Sequence, residues 1–149
     1  MVDAPAEVAQ RAKRPARLAF RDQVLDRALA DTRGGVIGLA RIDALAGTLS
    51  YCGVGNVEAR VLRAPTPLRP ISFSGTVGAR LPTVQVQQYG WSPGAVLVVA
   101  SDGLSTRWDP ARYPGIERHH PAVLGATLFR DFARATDDAS VVVARWLGR

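Results

Sequence analysis

Ala95-Val96-Leu97-Val98-Val99-Ala100-Ser101-Asp102-Gly103 is an apolar run that passes without a break into serine, aspartate and glycine. A continuous apolar stretch bounded by a turn signal reads as a strand covered on both faces. Its end holds Asp102 on rigid backbone at a sheet edge, where the carboxylate can meet solvent or a cation. A second junction of the same kind lies downstream, where Asp137-Asp138-Ala139-Ser140 runs into Val141-Val142-Val143, a short buried strand by pattern. Two carboxylate sites converging at strand ends repel each other unless a cation or a proton intervenes.

Upstream of this strand, Val36 to Ile42 and Thr48 to Gly53 read as a β-hairpin across the connection Asp43 to Gly47. Val57 to Leu62 is a third strand. Pro65, Pro67 and Pro70 then confine the chain to loop or edge positions before Ile71-Ser72-Phe73. Val84 to Tyr89 alternates partly with period two. Further back, apolar spacing from Ala4 to about Ala30 predicts two short helices interrupted near Pro15, ended by Gly34-Gly35. Downstream, Leu104 to Glu117 reads mostly as loop. Pro121 opens a helix of about three turns, with Val123, Leu124, Leu128 and Phe132 recurring on one face. Strands adjacent in sequence with helices at either end predict an antiparallel α+β domain with its helices outside the sheet.

The bulk composition bounds this picture. A chain of 149 residues fits one domain, and 47% hydrophobic with 21% charged residues is an ordinary globular balance. The net charge of +6 would draw nucleic acid or an anionic surface. Of the 19 basic residues all but Lys13 are arginines, however, and they are scattered among Ala, Val and Gly, which reads as the codon bias of a GC-rich genome. The one cluster, Arg11, Lys13, Arg14 and Arg17, reads as a solvated helix face. Cys52 is the only cysteine, which excludes an intramolecular disulfide and points to a reducing compartment. No segment is long and apolar enough for a signal h-region or a membrane span, so a cytoplasmic location without membrane or nucleic-acid partners is expected.

By spacing alone, Ser101-Asp102-Gly103 is a common turn, and an Asp before a strand commonly caps. Taken with Gly53-Val54-Gly55-Asn56 and Ser74-Gly75-Thr76-Val77-Gly78, however, Ala100-Ser101-Asp102-Gly103-Leu104 and Asp137-Asp138-Ala139-Ser140-Val141-Val142-Val143 resemble, in order and spacing, the metal-dependent protein phosphatase superfamily (PPM, or type 2C). The resemblance is strongest to its bacterial RsbX/SpoIIE-like branch and covers about Leu25 to Arg145. It implies an αββα sandwich of two antiparallel sheets with outer helices. It implies hydrolysis of phosphoserine or phosphothreonine at a dinuclear manganese or magnesium centre, with Asp102 and Asp137 as metal ligands and Gly103 and Asp138 in support. A phosphorylated signalling protein of a stressosome or anti-anti-sigma system is the implied partner. Arg107, close after the Asp102 turn, can reach a substrate phosphate in a bidentate contact.

Relatives open with a strand carrying an Asp-Gly-x-Gly-x-Gly motif that bridges the metals. Nothing of the kind precedes Ala4, and Pro5 to Phe20 looks like the helix that follows it. Residues 1–149 are therefore expected to form a single domain that is the C-terminal portion of the family's, lacking its first strands, with an incomplete metal site and doubtful activity. The alternative function is a non-catalytic phosphatase-like domain that binds a signalling protein. His119-His120 is read as a helix-start element and Asn56 as a turn residue bonded to backbone. Trp91, Trp108 and Trp146 are read as packing, and Cys52 as inert core.

Overall fold

The computed structural model describes residues 22–80 and 85–147. The described chain contains helix α1 (Asp22–Leu29), strands β1 (Ile37–Asp43), β2 (Thr48–Val54), β3 (Val57–Leu62), β4 (Ser72–Phe73), β5 (Gln87–Gly90) and β6 (Val96–Ser101), helix α2 (Pro121–Phe132) and strand β7 (Val141–Arg145). Two single-turn 3-10 helices, Pro110–Arg112 and Ile116–Arg118, interrupt the predicted loop. The hairpin forms as expected, with Asp43 opposite Thr48 and the Asp43 carboxylate accepting from the Ala46 amide at 2.9 Å inside the turn. Helix α1 falls within the second of the two helices predicted over Ala4 to about Ala30; the part of that prediction before Asp22, and the basic cluster at residues 11–17, lie outside the described residues.

Two sheets result. In the first, β1 pairs with one edge of β2, while β5 and β4 share its other edge. In the second, β6 lies antiparallel between β3 and β7. Alternation along the strands explains how they stack. Leu49 and Tyr51 of β2 meet Ala59 and Val61 of β3, Leu97 of β6 and Trp91 between the sheets. The opposite face of β6, Val96, Val98 and Ala100, packs beneath Leu124, Leu128 and Phe132 of α2. Cys52 and Val54, on the opposite face of β2, pack with Val77 and with Leu29 of α1. The layers therefore run helix, sheet, sheet, helix, which is the predicted α+β sandwich.

Two details depart from the expectation. β4 joins β2 in parallel over two residues, because the proline-rich connection brings the chain back in the direction of β2. β7 is an edge strand rather than a buried one: among the described elements it pairs only with β6, and Val142 is 63% exposed. Trp91 and Trp108 are buried as packing residues, and Cys52 is fully buried.

Candidate functional site

Because β6 and β7 are antiparallel, with Ala100 opposite Val141, the end of β6 lies beside the start of β7. The Ser101 amide donates to the Ser140 carbonyl at 3.0 Å. The Ser140 amide donates in turn to Ser101 Oγ at 2.9 Å. Beyond this clasp the Asp102-Gly103 backbone lies directly on the Asp138-Ala139 peptide. A Cβ at Gly103 would stand 2.0 Å from the Asp138 carbonyl oxygen and 2.6 Å from its carbon, so only glycine permits this approach. The Gly103 carbonyl accepts from the Arg134 amide at 2.9 Å, which joins the loop after α2 to the same turn. The two acidic segments predicted from sequence are thus brought side by side by backbone packing. Gly103→Ala is expected to cost about 1–3 kcal/mol through overpacking, read as a lowered midpoint in urea; an unchanged midpoint would contradict the close approach.

The carboxylates themselves are exposed. Asp137 Oδ1 accepts from the Asp138 amide at 2.9 Å, so one of its oxygens fastens its own turn. Asp102 Oδ2 accepts from Asn56 Nδ2 at 3.3 Å. Asn56, in the turn between β2 and β3, therefore reaches a carboxylate rather than its own backbone. No local pattern signals this contact, which spans residues 46 positions apart that meet only in the folded sandwich.

The loop that leaves Asp102 is pinned by a buried arginine. Arg60 of β3 donates through its guanidinium to the carbonyls of Trp108 and Thr106, each at 2.7 Å, and through Nε to Glu58 Oε1 at 2.6 Å. The same guanidinium lies 3.9 Å from the centre of the Trp108 ring, and Trp108 Nε1 donates to Glu58 Oε2 at 3.3 Å. Nothing in the sequence singled out Arg60, since a strand arginine carries no local pattern that distinguishes burial from exposure. Arg107 is exposed in this loop, its amide donating to Ser105 Oγ at 3.3 Å.

Between the Asp102 turn and the β3–β4 connection is a cleft of about 450 Å³, lined in part by Asn56, Glu58, Arg69, Ser72, Asp102 and Thr106. His120 is away from it and starts α2, its Nδ1 accepting from the Ala122 amide at 3.2 Å. The strongest shift in protonation is also on α2, where hydrogen bonds from Arg130 and Tyr113 hold the Asp131 carboxyl well below the usual carboxylate range.

The donors at the strand ends are all oxygens, the chemistry that magnesium and manganese prefer. Their number does not suffice for two ions: among the described residues no group of three or more His, Cys, Asp or Glu side chains is placed to hold a metal. The described residues alone therefore do not make a dinuclear centre.

No protein-family model matches this chain, and no curated protein does. Solved structures do. A chain of the structure described as "The bacterial stressosome: a modular system that has been adapted to control secondary messenger signaling" is similar with a TM-score of 0.79 and 26% identity, covering 94% of this chain and 73% of that one. RsbX in complex with magnesium gives 0.59 and 18%, covering 79% and 58%. The phosphatase domain of SpoIIE from Bacillus subtilis gives 0.55 and 16%, covering 97% and 73%. The class that the fold defines is thus the α+β sandwich, shared with RsbX and with the phosphatase domain of SpoIIE. Among the described residues no helix is long and apolar enough to cross a membrane.

Proposed function

We propose that the chain is a phosphatase-type domain of a bacterial partner-switching or stressosome pathway, and that it hydrolyses phosphoserine or phosphothreonine in a signalling protein in the presence of manganese or magnesium. The observation that carries this reading is the packing of Gly103 on the Asp138 carbonyl, which lays the Asp102-Gly103 turn against the Asp138-Ala139 peptide at one end of the β3-β6-β7 sheet. In this reading Asp102 and Asp137 face the metal, Asp138 and Gly103 shape the turn between them, and Arg107 contacts the substrate phosphate from the rim. The likeness to the stressosome chain supports the pathway, and the likeness to RsbX and SpoIIE supports the chemistry.

Incubating the chain with a phosphoserine peptide and increasing manganese tests the activity. Phosphate release that rises with manganese and stops on chelation is the expected result; no release at any manganese concentration would overturn it. A second reading is favoured by the lack, among the described residues, of three or more candidate ligands grouped to hold a metal. In that case the domain binds its signalling partner without turnover, and the same assay returns nothing while the partner is still captured.

A further inference from the structure

The cleft beside Asp102 contains a cation that the sequence did not single out. Arg69 lines it together with Asn56, Ser72, Ser74, Ser101 and Thr106. The other charged groups there are engaged: Glu58 is paired with Arg60, and Asp102 accepts from Asn56. Arg69 forms no ion pair among the described residues. Its backbone is nevertheless tethered on both sides. The Val61 amide donates to the Leu68 carbonyl at 2.9 Å, tying the preceding residue to β3, and the following Pro70 is buried. On the near wall, Ser72 Oγ donates to the Val57 carbonyl at 2.5 Å and lies 3.2 Å from the Tyr51 hydroxyl. On the far wall, the Thr106 carbonyl is fixed by Arg60. The cleft is thus walled by positions fastened to β2 and β3, as a recognition site requires.

We propose that Arg69 is the phosphate-reading residue of this cleft, and that the cleft takes the phosphorylated serine or threonine side chain of a protein substrate. A guanidinium offers two parallel donors to phosphate oxygens, which an ammonium cannot match. Ser74, Thr106 and Asn56 line the same cleft and are of the residue types that offer a phosphate neutral hydrogen-bond donors. This inference rests on the phosphatase reading for the kind of ligand. It differs from it in naming the residue that selects phosphorylated over unmodified peptide.

The test uses the full chain with Asp102→Asn, which lacks the carboxylate that would repel a phosphate. The probe is a fluorescent peptide with one phosphoserine, compared with its unphosphorylated twin, with inorganic phosphate as competitor. Arg69→Gln is expected to weaken phosphopeptide binding about 10-fold, the loss of one charge-assisted contact. Arg69→Lys should recover part of it, and Arg41→Gln, an exposed arginine on β1, should change nothing. Equal binding of the two peptides, or equal phosphopeptide affinity with and without Arg69, overturns the proposal. Displacement by free phosphate at the peptide's own affinity also overturns it, since the site would then read the anion alone. Phosphopeptide binding through Arg69, with no phosphate released in manganese by the chain that keeps Asp102, preserves this subsite and removes the catalytic reading. Phosphate release whose KM ignores Arg69→Gln does the reverse.

Discussion

Asp102→Asn is expected to lower manganese-dependent phosphate release about 100-fold or more while leaving the fold unchanged. Changes one layer out from a metal ligand already cost about 10–100-fold, so loss of the ligand oxygen that the proposed function assigns to Asp102 belongs at or beyond the upper end. The stability side follows from exposure. Asp102 is an exposed residue whose hydrogen bond in the structure comes from Asn56, and surface substitutions of this kind stay within about 0.5 kcal/mol. A large activity loss with an unchanged urea midpoint therefore separates a chemical role from a structural one. Equal rates for the two proteins would remove Asp102 from the site.

The second large effect concerns stability. Arg60→Ala is expected to destabilise the domain by about 3–5 kcal/mol, the range for breaking a buried charge pair and leaving its partner uncompensated. Arg60 is 8% exposed, and its removal strands three acceptors together: Glu58 Oε1 and the carbonyls of Thr106 and Trp108. The Trp108 ring would also lose the cation over its face. Lysine should not restore the wild-type midpoint, because a single ammonium cannot serve two carbonyls and a carboxylate in the planar fork that Arg60 uses. The loop from Thr106 to Trp108 should loosen as well, seen as faster amide exchange there than in β6. A change under about 1 kcal/mol would show that the latch is incidental.

The strand order was legible because β6 carries an unambiguous apolar run and Val57–Leu62 is bounded by a turn and a proline-rich segment. The sheet partners were not, since pairing of β4 and β5 along one edge of β2 depends on contacts between residues far apart in sequence. The edge character of β7 was hidden for the same reason: Val141-Val142-Val143 has one composition whether its flanks are covered or open. Asp102, Gly103, Asp137 and Asp138 were singled out from sequence because strand ends and turns carry local signals and the resemblance joined them, and the structure brings their two segments together. The Asn56 contact with Asp102, and the places of Arg60 and Arg69, were not, because each reaches its partners or its cleft across a fold whose register local pattern cannot supply.

The central claim is that Asp102 and Asp137 face one cation rather than two separate patches of solvent. Calorimetric titration of manganese into the wild-type chain, Asp102→Asn, Asp137→Asn and the double variant tests it most directly. A shared site predicts that each single variant loses most of the binding and that the double variant loses no more, the non-additivity of groups acting together. Manganese affinity unchanged in either single variant, or losses that simply add, would contradict it.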